Sequence, residues 1–265
     1  DVISVGAGAD NIEGGAGDDI FLITSNADVT RLPLTGPFNT INGGTHSSGD
    51  TLRIIGTTEA YLPTATITGI EILDLTTSAS VQTVYITAAQ LGALTTVTAD
   101  TSDVLFISSL DGATIGHTNA IDHFSFDDAD SNVSITSFST AVDQVGFSSM
   151  KHTGGKAEVT GNISAVNDGK IWFLGNQSAG AADSLASSAA ALSAAAIWGN
   201  PAGNYTNYVV LADDDSTAIY KLNDVSASSD EIVSSELTLI GVVNDVLGIG
   251  NINTSIEPFV DPTGA

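Results

Sequence analysis

Residues 5–22 read VGAGADNIE GGAGDDIFL, two nine-residue units laid end to end. The second, 14–22, follows the pattern G-G-x-G-x-D-x-U-x in full, U being a large apolar residue. The first, 5–13, departs from it only in carrying Val5 for the leading glycine. Glycine enters positive φ without a Cβ penalty, so Gly6, Gly8, Gly15 and Gly17 predict tight turns that aim carbonyl oxygens inward. Asp10 and Asp19, with Asp18 beside the latter, add carboxylates, and a set of hard oxygen donors is what Ca2+ prefers. Ile12 and Phe21 come next, where a short strand is expected to point them into a core. A looser third copy lies at 42–54, NGGTHSSGDTLRI, where Gly43, Gly44, Gly49 and Asp50 recur with two extra residues before Asp50. That stretch also reads as a plain turn.

The composition agrees with a cation-binding chain. Thirty-one Asp and Glu stand against six Lys and Arg, a formal net charge of -25, while 42% of residues are hydrophobic, which argues for a folded protein. No Lys or Arg lies between Arg53 and Lys151. Such a segment repels itself unless cations screen it. Nucleic acid is disfavoured because phosphate recognition needs clustered Lys and Arg, and anionic membranes are disfavoured for the same reason. Zero Cys removes disulfides, Cys-type zinc sites and thiol catalysis. There is neither an apolar run of about 20 residues nor a basic-then-apolar signal peptide, and the chain starts in mid-pattern, as if cut from a longer one.

Past the repeats, 26–50 is loop-rich with Pro33 and Pro37. From Asp50 to Phe147 the text breaks into short β segments, among them TLRIIG, IEILDLTT, VQTVYIT, LTTVTA, DVLFISS, DHFSFDD and NVSITSFS, at irregular spacing. An irregular β-solenoid or a β-sandwich fits this pattern. ITAAQLGALT predicts a short helix with Thr87 as N-cap and Gln90 in the capping-box position. DSLASSAAALSAAAIWG predicts a longer one near 183–198, capped by Asp183 or Ser184, with Leu185, Ala189, Leu192 and Ala196 on one face and Gly199 and Pro201 ending it. YTNYVVLADDD, STAIYKLND and ELTLIGVV read as a β-meander. The expected organisation is a calcium-binding coil at 1–25, a β-rich solenoid or sandwich at 26–150, and a β domain with an Ala-rich helix at 151–265. The expected fold class is mainly β.

The tandem nonapeptides resemble those of the RTX (repeats-in-toxin, or hemolysin-type) calcium-binding β-roll family. ITSFSTAVDQVGFSSM and IEILDLTTSA look like linking segments of bacterial RTX-type and S-layer proteins. The resemblance implies Ca2+ as cofactor, held between loops of successive coils, with Asp10 and Asp19 as half-sites that need a further coil. It implies type I secretion to the extracellular surface, and a non-catalytic structural protein that assembles with copies of itself into an S-layer or filament. Cell-surface polysaccharide is a further expected partner. A C-terminal carrier region of a larger secreted enzyme or toxin, and a carbohydrate-binding adhesin module, are the alternatives.

Other acidic stretches offer weaker candidates. Asp127, Asp128 and Asp130 in SFDDADSN suit either a cation or a solvated loop, as do Asp213–Asp215. DVSASSDEIVSSE has an EF-hand rhythm, but Ser229 replaces the required glycine and Glu236 falls one position late. There is no G-x-S-x-G elbow, H-E-x-x-H helix or P-loop, and no catalytic residue is assigned. His46, His117, His123 and His152 are scattered with no pair at ligand spacing. Trp172 and Trp198 read as core anchors, since KIWFLG has the look of a buried strand.

Overall fold

In the computed structural model the described residues are 1–29, 39–76, 80–126, 130–147, 156–158, 171–175, 177, 180–182, 184–195, 207–222 and 232–253. They are mainly β, as expected, and fall into two units, one from 1–109 and 118–125, the other from 110–117 and 126–258.

The first unit is wound in coils. β1 (Val2–Ser4) and β2 (Asn11–Glu13) belong to the first coil, and β3 (Ile20–Ile23) and β4 (Thr40–Asn42) to the second. β5 (Thr51–Ile54), β6 (Glu59–Tyr61) and β7 (Thr66–Thr68) form the third, followed by β8 (Ile72–Asp74), β9 (Thr83–Thr87), helix α1 (Ala88–Ala93), β10 (Thr96–Thr98) and β11 (Val104–Ser108). β12 (Thr114–Ile115) leaves for the second unit before β13 (Ile121–Phe126) returns. Pairing is parallel throughout and makes three faces: β1-β3-β5-β8-β10, β2-β4-β7, and β6-β9-β11-β13. Of the two architectures the sequence left open, parallel stacking of successive coils is a solenoid; a sandwich of hairpins would pair antiparallel.

Register explains the core. Phe21 pairs with Leu52, and Leu52 with Leu73, so the apolar position of the second nonapeptide begins a column of side chains that are 2% exposed or less. Ala60, Val84 and Leu105 form the matching column on the third face, with no exposure. Burying a Leu, Val or Phe in this way is worth roughly 1.5–3 kcal/mol each. Ile12 departs from expectation in being only half-buried. β2 pairs with β4 alone among the described residues, whereas β3 lies between β1 and β5.

α1 follows β9 where the third coil instead turned into β7, and its start is the capping box the sequence predicts. Gln90 N donates to Thr87 Oγ1 at 3.1 Å and Thr87 N to Gln90 Oε1 at 3.0 Å. Gln90 Nε2 then donates to the carbonyls of Leu62 and Ala65, tying the helix to the coil before it.

The second unit holds a sheet ordered β12-β14-β20-β19-β18-β17-β16, with β14 (Val133–Ile135), β16 (Lys156–Glu158), β17 (Ile171–Leu174), β18 (Asn207–Ala212), β19 (Thr217–Leu222) and β20 (Leu237–Val243). β15 (Gln144–Phe147) pairs in parallel with β21 (Ile252–Asn253). β18, β19 and β20 run antiparallel, the predicted meander. α2 (Leu185–Ala195) is capped by Ser184, whose Oγ accepts from Ser187 N at 3.1 Å, and buries Ala189 and Leu192 against Trp172, Val209 and Tyr220. Of the predicted boundary residues of this helix, Asp183, Ala196, Gly199 and Pro201 lie outside the described residues, as does Trp198.

Candidate metal corners of the solenoid

Each coil turns a corner just before a strand, and the residue at that corner has an N–H that the ladder of strand bonds does not reach. On the first face a carboxylate from the next coil takes it. Asp19 N donates to Asp50 Oδ1 at 2.7 Å and Asp50 N to Glu71 Oε2 at 2.8 Å, while Asp19 Oδ1 itself pairs with the Asp1 amino group at 2.6 Å. The other faces repeat the device, with Gln82 N on Asp103 Oδ1 at 2.9 Å and Asp10 N on Asn39 Oδ1 at 2.7 Å. This acid ladder is why so many Asp are buried in a charged chain: a carboxylate accepting backbone N–H bonds keeps its charge at modest cost.

The glycines behave as the pattern requires. Gly6, Gly8, Gly15, Gly17, Gly44 and Gly49 all have φ between 74° and 137°. Gly14 and Gly43 are needed for close approach instead. A Cβ on Gly14 would stand 2.4 Å from Gly43 O and 2.6 Å from Asp19 Oδ2; one on Gly43 would stand 1.8 Å from Gly69 O and 2.4 Å from Asp50 Oδ2.

Two corner acids are left incomplete. Asp19 and Asp50 are 1% and 0% exposed, and Oδ2 of each is buried with no hydrogen-bond partner. Leaving a buried acceptor unsatisfied costs about 1–3 kcal/mol, more when it is charged. Asp103 lacks this defect, since its Oδ2 accepts Asp100 N at 2.8 Å. So does Asp28, taking N–H and hydroxyl bonds from Thr24 and Ser25. Burial pushes the Asp28 carboxyl up, but those four bonds outweigh it and hold the pKa below its ordinary value. The orphaned Asp19 Oδ2 and the Gly43 carbonyl both face Gly14, 2.6 and 2.4 Å from where its Cβ would be, and hard oxygen donors of this kind fit Ca2+. Asp10 lies beside Gly8, its carboxylate oxygens 3.7 and 3.9 Å from where a Gly8 Cβ would be.

Asp18, also read as a ligand from the sequence, is exposed and engaged by the next coil. Its Oδ1 accepts N–H bonds from Ser48 and Ser47 at 2.8 Å, and Ser47 Oγ adds a third bond. The Ser48 N–H foremost, then the Ser47 N–H, draw its carboxyl well below the usual range. Gly44 packs over the Gly15 carbonyl, 2.1 Å from its Cβ position, so it serves the stacking of loops.

Two residues that the sequence reading passed over complete the Asp50 corner. His46 Nδ1 lies 3.1 Å from Glu71 Oε2 and 3.8 Å from Asp50 Oδ2. Glu71 sits in the ladder position where the earlier coils have Asp, and His46 precedes Asp50 by one turn of loop.

The remaining candidates fare unequally. Asp130 is buried, while Asp127 and Asp128 lie outside the described residues, as do Asp224–Asp230 of the EF-hand-like stretch and His152. Asp213 is 1% exposed and holds its own turn: Oδ2 accepts Ala182 N, Oδ1 accepts Ser216 N and Oγ, and these bonds overcome burial to keep its pKa low. Asp214 and Asp215 are exposed, and one carboxylate oxygen of each lies within 4.8 Å of one of Asp213. His117 Nδ1 stands 2.9 Å from Asp143 Oδ2, and His123 packs edge-on to Phe106. Trp172 is in a fully buried strand, β17, as its sequence suggests.

Set against known proteins, the chain matches no family model, no curated protein and no solved structure. What defines it is its own architecture, a mainly β protein with a parallel solenoid whose corners are lined by glycine and buried acid.

Proposed function

We propose that this chain is a calcium-dependent structural protein, secreted to the extracellular surface of a bacterium, where it assembles with copies of itself. The observation that carries the reading is the orphaned, fully buried Asp19 Oδ2 at a corner of left-handed glycines. It supports the calcium expected from the nonapeptide resemblance at 5–22.

Asp19 and the Gly43 carbonyl would hold the ion, which supplies positive charge and coordination that the corner lacks, while Asp10 stands at the separate corner before β2. The chain does the rest. Stacking the coils brings Asp19, Asp50 and Glu71 into one column on a chain of net charge -25. Without a counter-charge that column resists closure, and with one it locks. A ligand bound only by the folded state stabilises it by RT ln(1 + [L]/Kd), about 2.7 kcal/mol at a hundredfold excess. Weak extracellular-type sites respond at roughly 0.1–1 mM calcium, so folding would be completed outside the cell. No catalytic role is proposed for these acids.

The test is thermal melting in millimolar calcium against EDTA. A gain of about 2.7 kcal/mol corresponds to roughly 5–10 °C for a chain of this size. An unchanged midpoint would remove calcium from the account. Self-assembly is tested by negative-stain microscopy, where ordered arrays or fibres in calcium are the supporting result and monodisperse particles the opposing one.

A further inference from the structure

We propose that His46, Asp50 and Glu71 form a second kind of metal site, one for a divalent transition-metal ion of the Zn2+ type. This inference rests on the geometry of those three residues and stands whether or not Asp19 binds calcium.

The donor set contains one atom that the Asp19 corner lacks and that changes its chemistry. An imidazole nitrogen joins two carboxylates. Ca2+ takes six to eight oxygens, whereas imidazole with carboxylate suits Zn2+ and its first-row neighbours. One ligand atom from each residue lies within 4.8 Å of the other two. A tetrahedral ion with bonds of about 2.1 Å spaces its ligands about 3.4 Å apart. The measured separations, 3.1 Å from His46 Nδ1 to Glu71 Oε2 and 3.8 Å to Asp50 Oδ2, fall on either side of that value.

Asp50 provides the independent indication. Its carboxylate has no solvent exposure, and its Oδ2 has no hydrogen-bond partner although it faces the imidazole. A His46–Glu71 ion pair alone would leave that oxygen orphaned; a metal ion bridging all three completes it. Both carboxylates are oriented in advance by the ladder, Asp50 Oδ1 by Asp19 N and Glu71 Oε2 by Asp50 N. Outer hydrogen bonds of this kind fix ligand geometry before the metal arrives. His46 is about one-third exposed, which gives the ion an entry path and room for a water as fourth ligand.

Zinc binding to the whole chain, measured by competition with a chromophoric chelator, tests this directly, with Co2+ as spectroscopic probe. The expected result is one equivalent of zinc that is lost or weakened at least tenfold by His46→Gln, since loss of an outer-shell partner alone costs about 10–100-fold. Glu71→Gln, which keeps an acceptor for Asp50 N, should weaken binding as well. Cobalt should give a visible ligand-field band in the wild type and none in His46→Gln. Absence of zinc binding, or binding unchanged in His46→Gln, would reduce the cluster to a His46–Glu71 ion pair. Melting the same variants in calcium and EDTA keeps the two readings apart. His46→Gln should retain the full calcium response, and loss of that response in every chain alike would count against calcium alone.

Discussion

Asp103 and Asp19 occupy comparable places, each the residue before a strand of the solenoid and each bonded through Oδ1 to the corner residue one coil back, Asp103 to the Gln82 N–H and Asp19 to the Asp1 amino group. Their second oxygens differ. Three residues ahead of Asp103 the chain makes a turn whose own N–H, from Asp100, folds back onto Oδ2. Ahead of Asp19 the chain is Ala16-Gly17-Asp18, and the Gly17 N–H goes instead to the Thr45 carbonyl of the next coil at 2.8 Å. The glycine loop spends its donors between coils and leaves its acid unsatisfied. The Asp103 turn spends them within itself. One arrangement satisfies both carboxylate oxygens from the polypeptide and the other leaves Oδ2 without a hydrogen-bond partner, although both begin from the same side chain just before a strand.

The largest effect should come from closing the space the glycine corner depends on. A Cβ on Gly43 would meet Gly69 O at 1.8 Å and Asp50 Oδ2 at 2.4 Å, and neither a backbone carbonyl nor a buried carboxylate can yield cheaply. Gly43→Ala should destabilise the first unit by about 3 kcal/mol or more, at the upper end for overpacking, read by chemical denaturation in saturating calcium. A loss under 1 kcal/mol would mean the coils are not stacked this closely.

The comparison of the two acids is broken or upheld by a matched pair of amides. Asp103→Asn turns an NH2 group toward a backbone N–H and should cost about 1–3 kcal/mol, equally in calcium and in EDTA. Asp19→Asn should abolish most of the calcium response while costing little in EDTA, where the wild type leaves Asp19 Oδ2 buried without a hydrogen-bond partner. Equal calcium responses in the two variants would show that the orphaned oxygen has no part in binding.

Acid titration sharpens the same contrast through Asp28, a saturated acid like Asp103. Its folded pKa lies below the ordinary 3.8 because hydrogen bonds from Thr24 and Ser25 overcome the effect of burial. A depressed folded pKa contributes stability that is present above the unfolded pKa and lost as pH falls through the folded one. Asp28→Asn should therefore melt below wild type at pH 7 and converge with it in acid beneath that folded value. A constant gap down the whole range would assign the loss to packing alone.

Much of this was legible in the residues, and the rest was hidden for a definite reason. The glycine turns, the inward Phe21 and the Thr87–Gln90 and Ser184 caps depend on neighbours a few positions away, and the sequence displays such neighbours directly. The acid ladder joins residues one coil apart, and the coils are unequal: Asp19 to Asp50 spans 31 positions, while Asp50 to Glu71 and Gln82 to Asp103 each span 21. Without a constant period, Glu71 looks like an ordinary acid and His46 like a lone polar residue of a turn. Only strand register shows that they share a corner with Asp50. Asp18 is a further case, since the nonapeptide displays its place in the repeat but not the N–H groups of Ser47 and Ser48 that converge on it from the next coil.

The smallest expected effect is also the only favourable one, and it tests whether the corners act locally. Gly92 lies in α1, and beyond its chain neighbours and the helix's own backbone no atom lies within 4 Å of where a Cβ would be. Nothing therefore opposes Gly92→Ala, and replacing a helical glycine by alanine is worth roughly 0.5–1 kcal/mol. α1 is held to the third coil through Gln90 and the Leu62 and Ala65 carbonyls, remote in the hydrogen-bond pattern from Asp19 and Asp50. The melting midpoint should rise by about 1–4 °C, by the same amount in calcium and in EDTA. If the rise appeared in one condition only, α1 and the glycine corner would belong to one cooperative element. The cation would then organise the whole stack of coils, and its effect would extend beyond the corner it occupies.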